Sequence, residues 1–194
     1  MKASAVALSI LLAASGCSAK ADDPEQSQEP IHPIANLPDR PAGPVLDEAD
    51  ILLPAEEARL DRRLRELHER TGNALVVVSV KSLGGESIEN YSYNLFNTWG
   101  IGDAKTMRGL LLLVAPTERK VRIEVGCGLE TTISNVIAGR VIRDEITSLF
   151  AKGDLPGGTV AGVDALVERL TTPVPANDAG SQSAVCRRQL EEAA

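Results

Sequence analysis

Aromatic residues are scarce, at 3% of the 194 residues: two Phe, two Tyr and one Trp. A platform that stacks single-stranded nucleic acid needs several, so that class is excluded. Clustered positive charge is also lacking. The net charge is −7 and the Lys and Arg residues are dispersed, which leaves no electrostatic footprint for a nucleic acid. Only two histidines occur, His32 in a Pro-rich stretch and His68 on the polar side of an amphipathic helix pattern. Neither a Ser-His-Asp triad nor a histidine zinc site finds support in them. Walker A and EF-hand spacings are absent. No apolar run reaches the length that spans a bilayer.

What is present begins with an address. Met1-Lys2 precedes a short apolar run from Ala3 to Ala14, and small residues lead to Cys17, which reads as a secretory signal. A cysteine after Ser15-Gly16 resembles the lipobox of bacterial lipoproteins, in which cleavage leaves that cysteine at the new N-terminus carrying lipid. Ala14 stands where such signals usually have Leu, and the alternative is a plain secretory signal. On the lipobox reading residues 1–17 are the signal, Cys17 is the lipid attachment point, and the domain faces the periplasm or the outside of the cell. Residues 18–44 hold Pro24, Pro30, Pro33, Pro38, Pro41 and Pro44 among polar residues, the composition of an extended, disordered tether. Fully extended, it would reach on the order of 80 Å. His32 is then a solvated linker residue.

Residues 45–171 are long enough for one domain with a single core. They are organised around Gly109 to Glu130, GLLLLVAPTERKVRIEVGCGLE. Gly109 to Ala115 is a continuous apolar run, as in a strand covered on both faces. Pro116-Thr117 begins a short turn, after which Val121, Ile123 and Val125 alternate with Lys120, Arg122 and Glu124, giving an antiparallel partner with one charged face. Gly126-Cys127-Gly128 and Glu130 follow. Upstream, Leu60, Leu64 and Leu67 predict a helix from about Pro54 to Arg70, ended at Gly72. Ala74 to Val80 reads as a second buried strand, and Glu86 to Trp99 as a helix returning the chain to the first. Downstream, a long helix is expected from about Thr131 to Ala151 and another from Gly158 to Leu170. Helices on both faces of a small mixed sheet give an α/β class, a three-layer α/β/α sandwich. Residues 172–194 form a tail in which only Ala184 to Glu192 has a helical pattern.

Several ordered motifs carry a family resemblance: Val45-Leu46-Asp47 with Ala49-Asp50-Ile51-Leu52, Thr71-Gly72, Leu95-Phe96 to Trp99-Gly100-Ile101-Gly102, Gly109 to Leu112, Arg119 to Gly126, Gly128-Leu129-Glu130, and Gly153-Asp154. Together they resemble the TPM domain family, found in thylakoid-lumen proteins that help repair photosystem II and in bacterial extracytoplasmic lipoproteins. The resemblance implies an α/β/α sandwich; acid phosphatase activity and divalent-cation binding are known within the family. Cys127 stands where the family usually has an aromatic.

Two readings of the chemistry remain open. Asp47, Asp50, Asp103 and Glu130 all fall in loops or at element ends, expected at one edge of the sheet. They could converge on a hard cation, Ca²⁺ or Mg²⁺, with Gly102, Gly126 and Gly128 admitting backbone carbonyls. Such a cation could hold a phosphate ester and activate water. Alternatively these carboxylates turn the chain and cap helices. Trp99 is either a core residue or a ligand wall beside Asp103 and Glu130. The competing functional class is a binding module that docks on envelope or membrane protein complexes. Gly126-Cys127-Gly128 is not a dinucleotide fingerprint, since Thr131 replaces the third glycine and the strand belongs to a hairpin. With Cys17 lipidated, Cys127 and Cys186 are an even pair in an oxidising compartment, either bridged across the Gly126 loop or left free in a loose tail.

Overall fold

A computed structural model describes residues 31–172 and 182–193. The signal, Cys17 and the first part of the expected tether lie outside the described residues.

A four-stranded sheet has the order β1 (Val45–Asp47), β2 (Ala74–Ser79), β3 (Gly109–Ala115), β4 (Lys120–Val125). The first three strands are parallel and β4 runs antiparallel to β3. Successive side chains of a strand point to opposite faces. In β2 and β3 both sets are apolar, which explains the unbroken runs. Leu75, Val77, Leu110, Leu112 and Val114 enter one core, and Val76, Val78, Leu111, Leu113 and Ala115 the other. Every side chain from Leu110 to Ala115 is fully buried.

The first core is covered by α1 (Pro54–Thr71) through Leu60, Leu64 and Leu67 and by α5 (Leu155–Thr171) through Val163, Leu166, Val167 and Leu170. The second is covered by α2 (Ile88–Thr98), which contributes Ile88, Tyr91 and Leu95. These layers make the expected three-layer sandwich. The charged face of β4 serves α2, where the buried Ser92 Oγ donates to Glu124 Oε2 at 2.9 Å and Arg122 Nε donates to the same oxygen at 3.1 Å.

The structure departs from the sequence reading at four places. The segment Val45–Asp47, for which the sequence predicts no element, is an edge strand; three residues are too few to show a period. The long helix expected from Thr131 is interrupted: a 3₁₀ turn spans Cys127–Leu129, α3 spans Asn135–Arg140, a π-helical segment spans Val141–Ile146, and α4 spans Thr147–Phe150. Ser134 sets the late start, its hydroxyl accepting the Ile137 N–H. Helix α5 begins three residues before Gly158, because Asp154 caps it by accepting the Gly157 N–H and Pro156 fits a first turn.

The fourth correction concerns the tether, whose last part lies on the domain. Ile34 and Leu37 pack on the second core, His32 N–H donates to Asn90 Oδ1 at 3.0 Å, and His32 Nε2 lies 2.9 Å from Glu86 Oε2. Trp99 is 4% exposed and donates its indole N–H to the Pro38 carbonyl at 3.0 Å, so it is a core residue. Pro44 O accepts the Val77 N–H. One helix does not cover this face of the sheet, and residues 31–44 supply the missing apolar contacts.

A chain beginning at residue 45 should therefore be less stable than one beginning at residue 31. The expected loss is about 2–4 kcal/mol, from two partly buried aliphatic side chains and the orphaned indole N–H. Urea unfolding of the two chains measures it, and equal midpoints would mean that the strap contributes nothing.

Candidate functional site

The antiparallel return of β4 divides the predicted site residues between two edges of the sheet. Asp47 ends β1 at the C-terminal edge of the parallel strands, opposite Ser79 in register. Glu130 follows β4, whose last residue, Val125, pairs with Leu110 near the start of β3, so it lies at the other edge. The loop bearing Asp103 precedes β3 and shares that second edge. The four carboxylates therefore do not meet, and the expectation that their loops share one edge is corrected.

At the first edge Asp47 works as a turn. Its Oδ1 accepts the Ile51 N–H at 3.1 Å and the Ser79 hydroxyl, and its Oδ2 accepts the Leu52 N–H at 2.7 Å. Ser79 Oγ in turn accepts the Ala49 N–H at 3.0 Å. Asp50 is exposed with φ of 54°, a left-handed position that Asp tolerates. Together these contacts turn the chain from β1 toward α1.

At the second edge Asp103 Oδ1 accepts the Lys105 N–H at 3.0 Å and the Thr106 N–H at 2.9 Å. Those backbone donors, Thr106 foremost, hold its carboxyl below the ordinary value of 3.8. The Gly126–Gly128 loop lies directly against this one: Gly128 N–H donates to Met107 O at 3.0 Å and Gly126 N–H to Gly109 O at 2.8 Å. A Cβ at Gly128 would collide with the Thr106 carbonyl, and one at Gly126 with that of Met107. These glycines allow one backbone to approach another. Gly102 packs in the same way, with φ of 101° and a Cβ position 2.8 Å from Gly109 N.

The C-terminal segment closes this edge. Helix α6 (Ala184–Ala193) is preceded by Gln182, whose Nε2 donates to Cys127 O at 3.1 Å, and Ser183, whose N–H donates to Glu130 Oε2 at 2.8 Å. A disulfide joins Cys127 to Cys186, with a Cα–Cα distance of 5.0 Å. Beside Ser183 is a cleft of about 230 Å³ whose other walls include Arg122, Glu124, Glu130, Ser134 and Asn135. Asp103 borders a different cleft of about 490 Å³, with Arg40, Arg65, His68, Trp99 and Gly102 along its walls. The sequence puts Arg40 in the tether and Arg65 and His68 on a solvated helix face, and gives no signal that the three border one cleft. Arg40 bonds the Trp99 carbonyl at 2.5 Å, and Arg65 pairs with Asp61 at 2.7 Å.

Ca²⁺ or Mg²⁺ needs converging oxygens. Among the described residues no three His, Cys, Asp or Glu side chains gather into such a cluster. The four carboxylates do not fit one cation, since two lie at each edge and even Asp103 and Glu130 border separate clefts.

Comparison with known proteins gives a consistent relationship. The sequence profile of the TPM domain matches residues 45–169. The solution structure of the N-terminal domain of a P. gingivalis protein is similar at 33% identity and a TM-score of 0.62, over 66% of this chain and 81% of that one. The N-terminal domain of the cg2496 protein from Corynebacterium glutamicum shares the fold at 14% identity and a TM-score of 0.54, over 79% of this chain and 95% of that one. The BA42 protein of Bizionia argentinensis does so at 19% identity and a TM-score of 0.54, over 67% of this chain and 90% of that one. No curated protein matches the chain.

The depressed Asp103 carboxyl predicts a pH dependence. A carboxyl with a lowered folded-state value contributes stability that is fully present above the unfolded value and lost as the pH falls through the folded one. The stability difference between wild type and Asp103→Ala should be constant at neutral pH and shrink as the pH falls below 3.8. Denaturant midpoints across that range check it, and a difference that persists in acid would assign the effect to something other than the carboxylate.

Proposed function

The chain belongs to the TPM domain family, and from that premise we propose that it is a lipid-anchored extracytoplasmic module that binds or maintains envelope or membrane protein complexes. The observation that carries the reading is the use made of the candidate carboxylates. Asp47, Asp103 and Glu130 each accept backbone N–H groups and hold loops in place. Side chains so engaged hold the surface loops in fixed positions, which is the preorganisation a docking face needs. The Cys127–Cys186 bridge supports the compartment, since disulfides persist where the environment is oxidising. Cys17 is the lipid attachment point in this proposal, and the membrane is the first partner. Among the described residues no helix is long and apolar enough to cross a membrane.

Replacing Cys17 by Ala should move the protein from the membrane fraction to the soluble extracytoplasmic fraction. Unchanged membrane retention would overturn the lipid anchor, and cytoplasmic retention of the wild type would overturn the compartment.

The cation is proposed on the family resemblance, and the geometry restricts its form. A Ca²⁺ or Mg²⁺ ion would be held by one carboxylate completed by backbone carbonyls and waters. At Glu130 it would compete with the Ser183 N–H for a carboxylate oxygen. Binding should then be weak, with Kd on the order of 10⁻⁴–10⁻³ M. Calorimetric titration should show it lowered further in Glu130→Gln and unaltered in Asp47→Asn. Tight binding abolished by Asp47→Asn would mean a different site and would reopen metal-assisted phosphate ester hydrolysis.

A further inference from the structure

The C-terminal segment is attached to the second edge of the sheet by few contacts. Among the described residues its polar contacts with the domain are those of Gln182 to Cys127 O, Ser183 N–H to Glu130 and the Gln189 side chain beside Cys127 Sγ, all close to the bridge. Helix α6 is ten residues long and touches mainly the Cys127–Leu129 turn. A helix of that length has little stability of its own in water and depends on docking for its order. The 59-residue separation of the bridged cysteines gives the segment no local reason to return to this loop.

The two sulfurs differ in their surroundings. Cys127 is half-buried in a glycine-flanked turn at the surface, and Cys186 is 6% exposed. Cys186 lies in the first turn of α6, whose start is capped by the Ser183 hydroxyl accepting the Cys186 N–H at 3.1 Å. A helix N-terminus stabilises a thiolate, which makes Cys186 the better leaving group. Attack is therefore directed to the accessible Cys127 sulfur.

We propose that the Cys127–Cys186 disulfide is a redox-operated latch that holds residues 182–193 on the second edge, with Ser183 as one wall of the Glu130 cleft, and that reduction by an external dithiol opens that wall. The dithiol's thiolate attacks Cys127 Sγ, the S–S bond breaks, and Cys186 leaves as a thiolate that takes up a proton. The second thiol of the reductant then displaces Cys127 from the mixed disulfide. The protein gains two electrons and two protons, and the reductant becomes a disulfide. With the covalent tie gone, Ser183 withdraws its N–H from Glu130, and the wall that Ser183 gives the cleft is removed. Glu130 then loses its backbone donor, and the cleft it borders with Ser134 and Asn135 opens on the side that Ser183 closed. The latch presupposes the oxidising compartment proposed above. Fractionation tests that compartment and the following experiment tests the latch, so either can fail alone.

Hydrogen exchange of the mature full chain, oxidised and then treated with dithiothreitol, discriminates a latch from a staple. For a latch, residues 184–193 should exchange more than tenfold faster after reduction and residues 126–135 should lose protection. Residues 74–79 and 109–115 should keep theirs. Unreduced Cys186→Ser should reproduce the reduced pattern, and if that variant fails to fold, the reduction experiment on wild type still decides. Unchanged exchange in 184–193 would overturn the proposal, because the helix would then be docked without its bond. A loss of protection spread through β2 and β3 would overturn it too, because the bond would then stabilise the whole domain.

Discussion

Burial of β3 on both faces is the constraint on which the rest of the structure depends. Its residues from Leu110 to Ala115 are fully buried, and each buried Leu contributes about 1.5–3 kcal/mol relative to exposure. A strand covered on both sides needs a neighbour along each edge and a layer over each face. The parallel strand β2 and the antiparallel β4 supply the edges. Helices α1 and α5 cover one face, whereas the other has α2 and the strap of residues 31–44. The strap is thus a consequence of an uneven distribution of helices. Trp99 follows the same logic: it is buried where that strap crosses, and the Pro38 carbonyl receives its indole N–H.

The polar residues at the sheet edges solve a problem created by this core. Each strand end leaves a loop that must reverse within a few residues, and unpaired backbone N–H groups near the interior are costly. Asp47 and Asp103 satisfy two each, and the glycines of the second edge let two loops share carbonyls at van der Waals distance. A carboxylate engaged in this way has a defined orientation. Glu130 differs from the others. Its backbone donor comes from the far end of the chain, held there by the disulfide. It is the one carboxylate of the four whose surroundings depend on a separable segment.

The local features were legible in the sequence. Alternation in Lys120 to Val125, the double-sided run of Gly109 to Ala115 and the leucine stripe of α1 each carry a period that a short window reveals. With the family motifs, they determined the α/β/α sandwich, its single domain and the glycine-dependent loop before Glu130. The interrupted helix after Glu130 was not legible, because Ser134 as a cap and the π-helical segment leave the apolar pattern nearly continuous. Nor was the strap, because Ile34 and Leu37 are single apolar residues amid prolines and acquire meaning only beside the sheet face they cover.

What the sequence by itself determined, then, is the set of elements and their order, because hydrophobic period and turn chemistry act over a few residues. The tertiary structure decided what each edge holds, although the antiparallel return itself was legible in the short turn after Ala115. One antiparallel return at β4 carries Glu130 away from Asp47 and brings it beneath Ser183, and that placement depends on strand pairing across the sheet rather than on any spacing along the chain. The pairing of Cys127 with Cys186 was decided in the same way, since a bridge needs two Cα atoms within about 7 Å, and proximity across 59 residues is a property of the fold.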